Sequence, residues 1–248
     1  MPFPFCASLR SLQDVLNSLK LILRSIFKHV QNDKRVDKDT YKEITENVVP
    51  STPPCLPEEK AFLNEMEKFL EKEGKWEYFP PEKEVYLRMA RRHDTKDLWG
   101  LAEGHIHVAA KKIFSYLLCY DSKERLAKHM KTNGKLPRTM HVLDGTHTRF
   151  FFTTQKMPSP LHNRRYDIAV VWDAEIDETT GRWVYKIAFQ PVQNYRGDPA
   201  KVKAAVEKSC LDKDNDKLVI GATSGIYIIK EVRWSKEERA GAKKKGMA

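Results

Sequence analysis

Residues 136–172 read LPRTMHVLDGTHTRFFFTTQKMPSPLHNRRYDIAVVW, and this stretch decides the fold class. An Asp-Gly pair, Asp144-Gly145, stands between two runs rich in Val, Thr and Phe. It is a strong short-range hairpin signal, because both central turn residues need a backbone that tolerates positive φ. The spacing predicts that residues 139–143 pair with 146–155. Pro158 and Pro160 lack an amide hydrogen and hold φ fixed, so MPSPLHN cannot extend a ladder and must turn a corner between strands. Beyond it, the run 165–172 places Tyr166, Ile168, Val170 and Trp172 on one face, against Asp167, Ala169, Val171 and Asp173 on the other. The first face is strongly apolar.

The whole chain has 248 residues, enough for one good-sized domain with an appendage or for two small ones. Hydrophobic residues make up 41% and mean hydropathy is −0.60, the balance of a globular chain with much surface. No run approaches the roughly 20 apolar residues that span a bilayer, so a soluble or peripheral protein is expected. Cys6, Cys55, Cys119 and Cys210 lie far apart without a C-x-x-C pair, which argues for reduced thiols in the cytoplasm. The net charge of +10 suits an anionic partner. Its Lys and Arg are nevertheless interleaved with 34 acidic residues, and only Lys243 to Lys245 form a compact run. A solvated surface is the first reading of these charges, an anionic membrane surface the second, and nucleic acid is not an expected partner.

Leu12, Val15, Leu16, Leu19, Ile22, Leu23, Ile26 and Phe27 recur at helical spacing opposite Lys20, Arg24 and Lys28, which predicts an amphipathic helix over 8–30 with a basic polar face. It can pack on the main domain or a partner, lie at a membrane surface, or serve as a targeting segment. The segment 31–48 is dense in charge, and PSTPPCLP then puts four prolines into eight residues. This divides the chain into 1–54 (helix and linker), 55–235 (main domain) and 236–248 (basic tail). Pro57 opens a second helix, with Glu58 and Glu59 at the positive end of its dipole, and Gly74 ends it. Strands are expected over 75–79, 84–91 and 98–108, then helices over 109–119 and 122–130 closed by Gly134. After Trp172 a turn at DETTGR leads into a strand with Trp183, Tyr185, Ile187 and Phe189 on one face. A short helix over 200–210 follows, and residues 218–234 form either one bent strand or a hairpin about Ser224-Gly225.

The corner carries a resemblance. Pro158, Pro160, Leu161, Asn163, Arg164, Arg165 and Tyr166, followed by a β-branched strand, are similar to the signature of START-type lipid-transfer domains. In that family an Asp usually stands where this chain has Arg165. The element order, a helix, three strands, two helices and a run of antiparallel strands, is that of the helix-grip fold. The resemblance spans about residues 57–234. It implies an α+β, START-like fold in which a curved antiparallel sheet grips helices around a hydrophobic cavity. It also implies a carrier that binds, and transfers between membranes, a lipid or other hydrophobic ligand without catalysis or cofactor. START-type domains end in a long amphipathic helix over the cavity. SKEERAGAKKKGMA is too short and polar to be one, so the helix over 8–30 is the expected lid.

Alternation along the strands gives the inward set Phe151, Tyr166, Ile168, Val170, Trp172, Tyr185, Ile187 and Phe189, the candidate ligand-binding residues. Their rings can equally meet as solid core, giving an interaction or regulatory module with a filled cavity. Sterol-carrying relatives of the resembled family hold a carboxylate and an arginine inside the tunnel. The matching positions here, Phe151 and Val170, are apolar, which favours a wholly apolar ligand or a head group left at the mouth. Catalysis has weaker support, because no G-x-S-x-G, phosphate loop or H-E-x-x-H is present. A hydrolase or cyclase of the same fold is the third reading. His105 and His107 share a strand face, and His141 and His147 flank the hairpin turn, yet spacing places no third ligand beside them. No metal is expected on that basis.

Overall fold

Arg164–Asp177 and Arg182–Pro191 form the two long central strands on which the rest of the main sheet is assembled. The computed structural model describes residues 43–49, 52–71, 77–82, 85–91, 98–104, 108–143, 145–208 and 218–231. The helix expected over 8–30, His105, His107 and the tail 236–248 lie outside them. In chain order the elements are a helical turn Glu43–Val48, then α1 (Pro57–Glu71), β1 (Glu77–Glu82), β2 (Val85–Arg91) and β3 (Leu98–Gly104). Next come α2 (Ala110–Leu118), α3 (Lys123–Asn133), β4 (Arg138–Val142), β5 (Thr148–Gln155), β6 (Arg164–Asp177) and β7 (Arg182–Pro191). A 3-10 turn (Val192–Asn194), α4 (Pro199–Lys208), β8 (Val219–Gly221) and β9 (Gly225–Lys230) complete the order. The fold is α+β, with a curved antiparallel main sheet and, among the described residues, four helices, as the helix-grip expectation required.

Strands β1, β2 and β3 form one antiparallel sheet. The main sheet runs β4-β5-β6-β7-β9, with β8 beside β6. Three local expectations are corrected. Pro80 and Pro81 do not end β1. The strand carries them at the sheet's edge with a register shift between Phe79 and Glu82, where missing amide hydrogens cost no ladder bond. The hairpin does not close on two residues either. Val142 pairs with Arg149, and the Leu143 N–H donates to Thr148 O at 3.1 Å, so the loop is longer than an Asp-Gly turn alone requires. Finally, 218–231, the described part of the expected 218–234 segment, is neither one bent strand nor a hairpin. β7 stops at Pro191, opposite Ile168, leaving Arg164–Tyr166 without a neighbour on that side; β8 fills the lane in parallel, and β9 then pairs with the far edge of β7.

The two faces of the main sheet separate by strand parity. One face presents Phe151, Val170, Trp172, Tyr185, Ile187, Phe189 and Ile229 to Ile113, Phe114, Leu117 and Leu118 of α2. On the other, Phe62, Leu63 and Met66 of α1 pack on Val171 and Ala188, while Ala205 of α4 joins Phe150, Phe152 and Ala169. The central strands are therefore covered on both sides, which explains why β5 is buried along almost its whole length. Ile44, within the stretch read as linker, is 3% exposed and belongs to the α2 face of the core, with Val48 and Val49 beside it.

At the start of α1, Glu59 reaches back to accept the Leu56 N–H at 2.9 Å, half of a capping box. Its other oxygen accepts the Thr148 hydroxyl at 2.6 Å, and Thr148 Oγ1 lies 3.0 Å from the Tyr195 hydroxyl. A fully buried carboxyl thus locks α1 to β5. Across the same face, Lys186 bridges Glu67 and Glu175, and Lys60 bridges Glu175 and Asp173.

Candidate functional site

All eight sequence-derived candidates stand on the α2 face of the main sheet, as their parity demands. They divide into two groups. Val170, Trp172, Tyr185 and Ile187 meet α2 directly. Phe114 stacks on Tyr185 with centroids 4.8 Å apart and meets Trp172 edge-on at 5.7 Å, so this half of the face is solid core. Phe151, Tyr166, Ile168 and Phe189 lie toward the corner end of the strands and line a pocket, with Phe151 and Phe189 also belonging to the core that α2 shares.

Tyr120, just past α2, and Tyr227 of β9 complete its apolar wall, while Arg138, Thr153, Gln155 and Thr223 supply the polar part. The Tyr120 ring packs on Phe151 at 4.6 Å and the Phe189 ring on Tyr227 at 5.7 Å. Arg138 opens β4 opposite Thr153. Its Nε and Nη2 donate to Tyr120 O at 2.9 and 2.7 Å, and the guanidinium carbon lies 4.7 Å over the Phe151 ring. Burial, and the nearby Arg125 cation, pull its pKa down to about 10, which leaves it a cation at neutral pH. The Thr153 hydroxyl is buried with no hydrogen-bond partner among the described residues. Burial pushes the Tyr120 and Tyr227 phenols up, so both remain neutral donors.

The cavity volume is about 40 Å³. One water needs about 10–15 Å³ on this scale, and an engineered cavity that takes benzene measures about 150 Å³. The pocket therefore admits an end group or a few waters, not a whole acyl chain or sterol.

The sequence reading missed Arg138, Tyr120, Thr153 and Tyr227. Extending the first hairpin strand back by one residue puts Arg138 on the parity of Met140, facing inward, and that signal was present. Tyr120 and Tyr227 arrive by chain crossing and have no comparable signature. The apolar pair Phe151 and Val170 does not leave this face free of charge: Arg149 stands directly opposite Val170, buried, its Nε without a partner among the described residues. At the corner, Asn163 Oδ1 accepts the Met157 N–H at 3.2 Å, and Arg165 pairs with Asp167 at 2.6 Å.

No protein-family model matches this chain, and no curated protein does. Among solved structures it is similar to the human StarD13 (DLC2) lipid transfer and protein localization domain, at 11% identity and a TM-score of 0.35, over 74% of this chain and 89% of that one. A likeness of that size carries no argument about function.

Proposed function

We propose that this protein binds a lipid-like ligand by its head group, without doing chemistry on it, in the pocket between Tyr120, Phe151, Phe189 and Tyr227. The observation that carries this reading is the half-buried Arg138 guanidinium, set on an apolar wall beside the buried Thr153 hydroxyl, which has no partner among the described residues. Such a pair suits a carboxylate or phosphate attached to a hydrophobic body, because charge-assisted hydrogen bonds in a dry setting are the strong ones. The pocket lining contains no carboxylate, imidazole or thiol among the described residues, which supports binding over catalysis. At about 40 Å³ it seats only the ligand's end. The rest must lie along the open side or displace Tyr120 or Tyr227. Transfer between membranes is the finer part of the proposal, with the basic surface assisting contact with an anionic leaflet.

Native mass spectrometry of the full chain after incubation with oleate, and separately with phosphatidic acid vesicles, tests it. Uptake of one ligand by the wild type, weakened at least about tenfold in Arg138→Gln, is expected, since hydrogen bonds to charged groups contribute about 1.5–3 kcal/mol. A clean unliganded mass from both sources sinks the reading. The second reading, an interaction module with its cavity filled, is favoured by the packing of Phe114 on Trp172 and Tyr185, and such a result would select it.

A further inference from the structure

Three metal-ligating side chains from distant parts of the chain meet near the start of α1. Cys55 follows the proline run, His147 sits in the β4–β5 loop and Asp173 lies on β6. Cys55 Sγ, a His147 ring nitrogen and an Asp173 carboxylate oxygen all lie within 4.8 Å of one another. His147 and Asp173 are buried and Cys55 is half-buried.

The imidazole is held firmly. Nε2 lies 2.6 Å from Pro53 O and Nδ1 lies 2.7 Å from Trp172 O, with the ring packed on Trp172 at 4.2 Å. Two carbonyl oxygens on two ring nitrogens are one acceptor too many for a neutral imidazole, which carries a single N–H. If Nε2–H donates to Pro53, the Nδ1 lone pair faces Trp172 O and, 3.9 Å away, Asp173 Oδ1. The Cys55 thiol makes a long contact, 3.6 Å, to that same Trp172 carbonyl. Asp173 Oδ1 accepts the Ala174 N–H at 2.9 Å, and Sγ, the imidazole nitrogen and the carboxylate lie close enough for one cation to touch all three.

We infer that Cys55, His147 and Asp173 bind a divalent transition metal, zinc foremost, through Sγ, Nδ1 and a carboxylate oxygen. Thiolate, imidazole and carboxylate are donors that zinc takes together in tetrahedral sites. The Nε2–H bond to Pro53 O supplies the outer contact that orients a ligating histidine. Trp172 O or a water takes the fourth position. Lys60, 3.6 Å from Asp173 Oδ2, holds the second carboxylate oxygen from the solvent side. Ligand bonds of about 2.0–2.3 Å require the donors to close by roughly 1 Å from their present spacing. The site ties the chain before α1 to β6 and the hairpin loop. It shares no residue with the pocket lining.

The test is cobalt titration of the reduced full-length protein. The expected result is one equivalent of Co²⁺ showing the intense visible bands of tetrahedral cobalt with a thiolate charge-transfer band, both removed by one equivalent of Zn²⁺. Cys55→Ser should abolish the charge-transfer band, and Asp173→Asn should weaken zinc by more than the ~10- to 100-fold that losing an outer contact costs. Circular dichroism of the metal-free variants must match wild type, which separates loss of the site from loss of the fold. Absence of tetrahedral bands in the wild type overturns the inference. So does a Cys55→Ser protein that keeps the charge-transfer band, because the thiolate would then lie elsewhere.

Discussion

Glu59 is completely buried, yet each of its oxygens has a donor: the Leu56 amide on one side and the Thr148 hydroxyl on the other. Glu59→Gln replaces one acceptor by an amide that donates against a donor. It should lower the unfolding free energy by about 1–3 kcal/mol, seen as a lower denaturant midpoint at unchanged m-value. Gly225 makes a different single-residue point. A Cβ built there would sit 2.6 Å from Phe189 Cζ, so Gly225→Ala must push that ring, which lines the pocket. Oleate uptake should fall in this variant while far-UV circular dichroism is retained. At the β6–β7 turn, the Asp177 carboxylate accepts the Thr179 hydroxyl and the Thr179 and Thr180 amides. These bonds hold its pKa at about 2, below the ordinary 3.8. Because the folded value is depressed, its contribution to stability is complete above the ordinary value and is lost as pH falls through about 2. Asp177→Asn should remove that part of the slope when unfolding is followed by denaturant at a series of pH values.

At the scale of elements, α2 makes the difference between a hollow and a core. Phe114, 0% exposed, fills the space over Trp172 and Tyr185, so Phe114→Ala should cost about 3–5 kcal/mol and lower the melting temperature accordingly. This element also marks how far the sequence could be read. Alternation along the strands correctly put eight residues on one face, because a period of two follows from backbone geometry alone. Whether those residues enclose space depends on where α2 stops, and no local pattern reports that. The closing strands were misread for a related reason. Ser224-Gly225 resembles a turn, but β8 is drawn away to β6 by the vacancy that Pro191 leaves in a neighbouring lane. Cys55, His147 and Asp173 were illegible as a group, since only the packing of α1 and the hairpin loop on β6 brings them together.

For the whole molecule the net charge of +10 governs encounters rather than fold. No helix among the described residues is long and apolar enough to cross a membrane. Adhesion of the basic protein to anionic vesicles is the expected outcome. Because the screening length shrinks from about 30 Å at 0.01 M salt to about 3 Å at 1 M, co-sedimentation with phosphatidylserine vesicles should fall steeply over that range. Persistence at high salt would instead indicate insertion of apolar side chains.

Ile44 has a practical consequence for any shortened version of this protein. Its side chain belongs to the same interior as Phe114 and Trp172, although it precedes the proline run. A fragment starting at residue 43 keeps that plug, whereas one starting at 55 loses it and, by the scale of an Ile-to-Ala change, should be weaker by about 2–5 kcal/mol. The natural place to trim the polypeptide is therefore upstream of the prolines rather than at them.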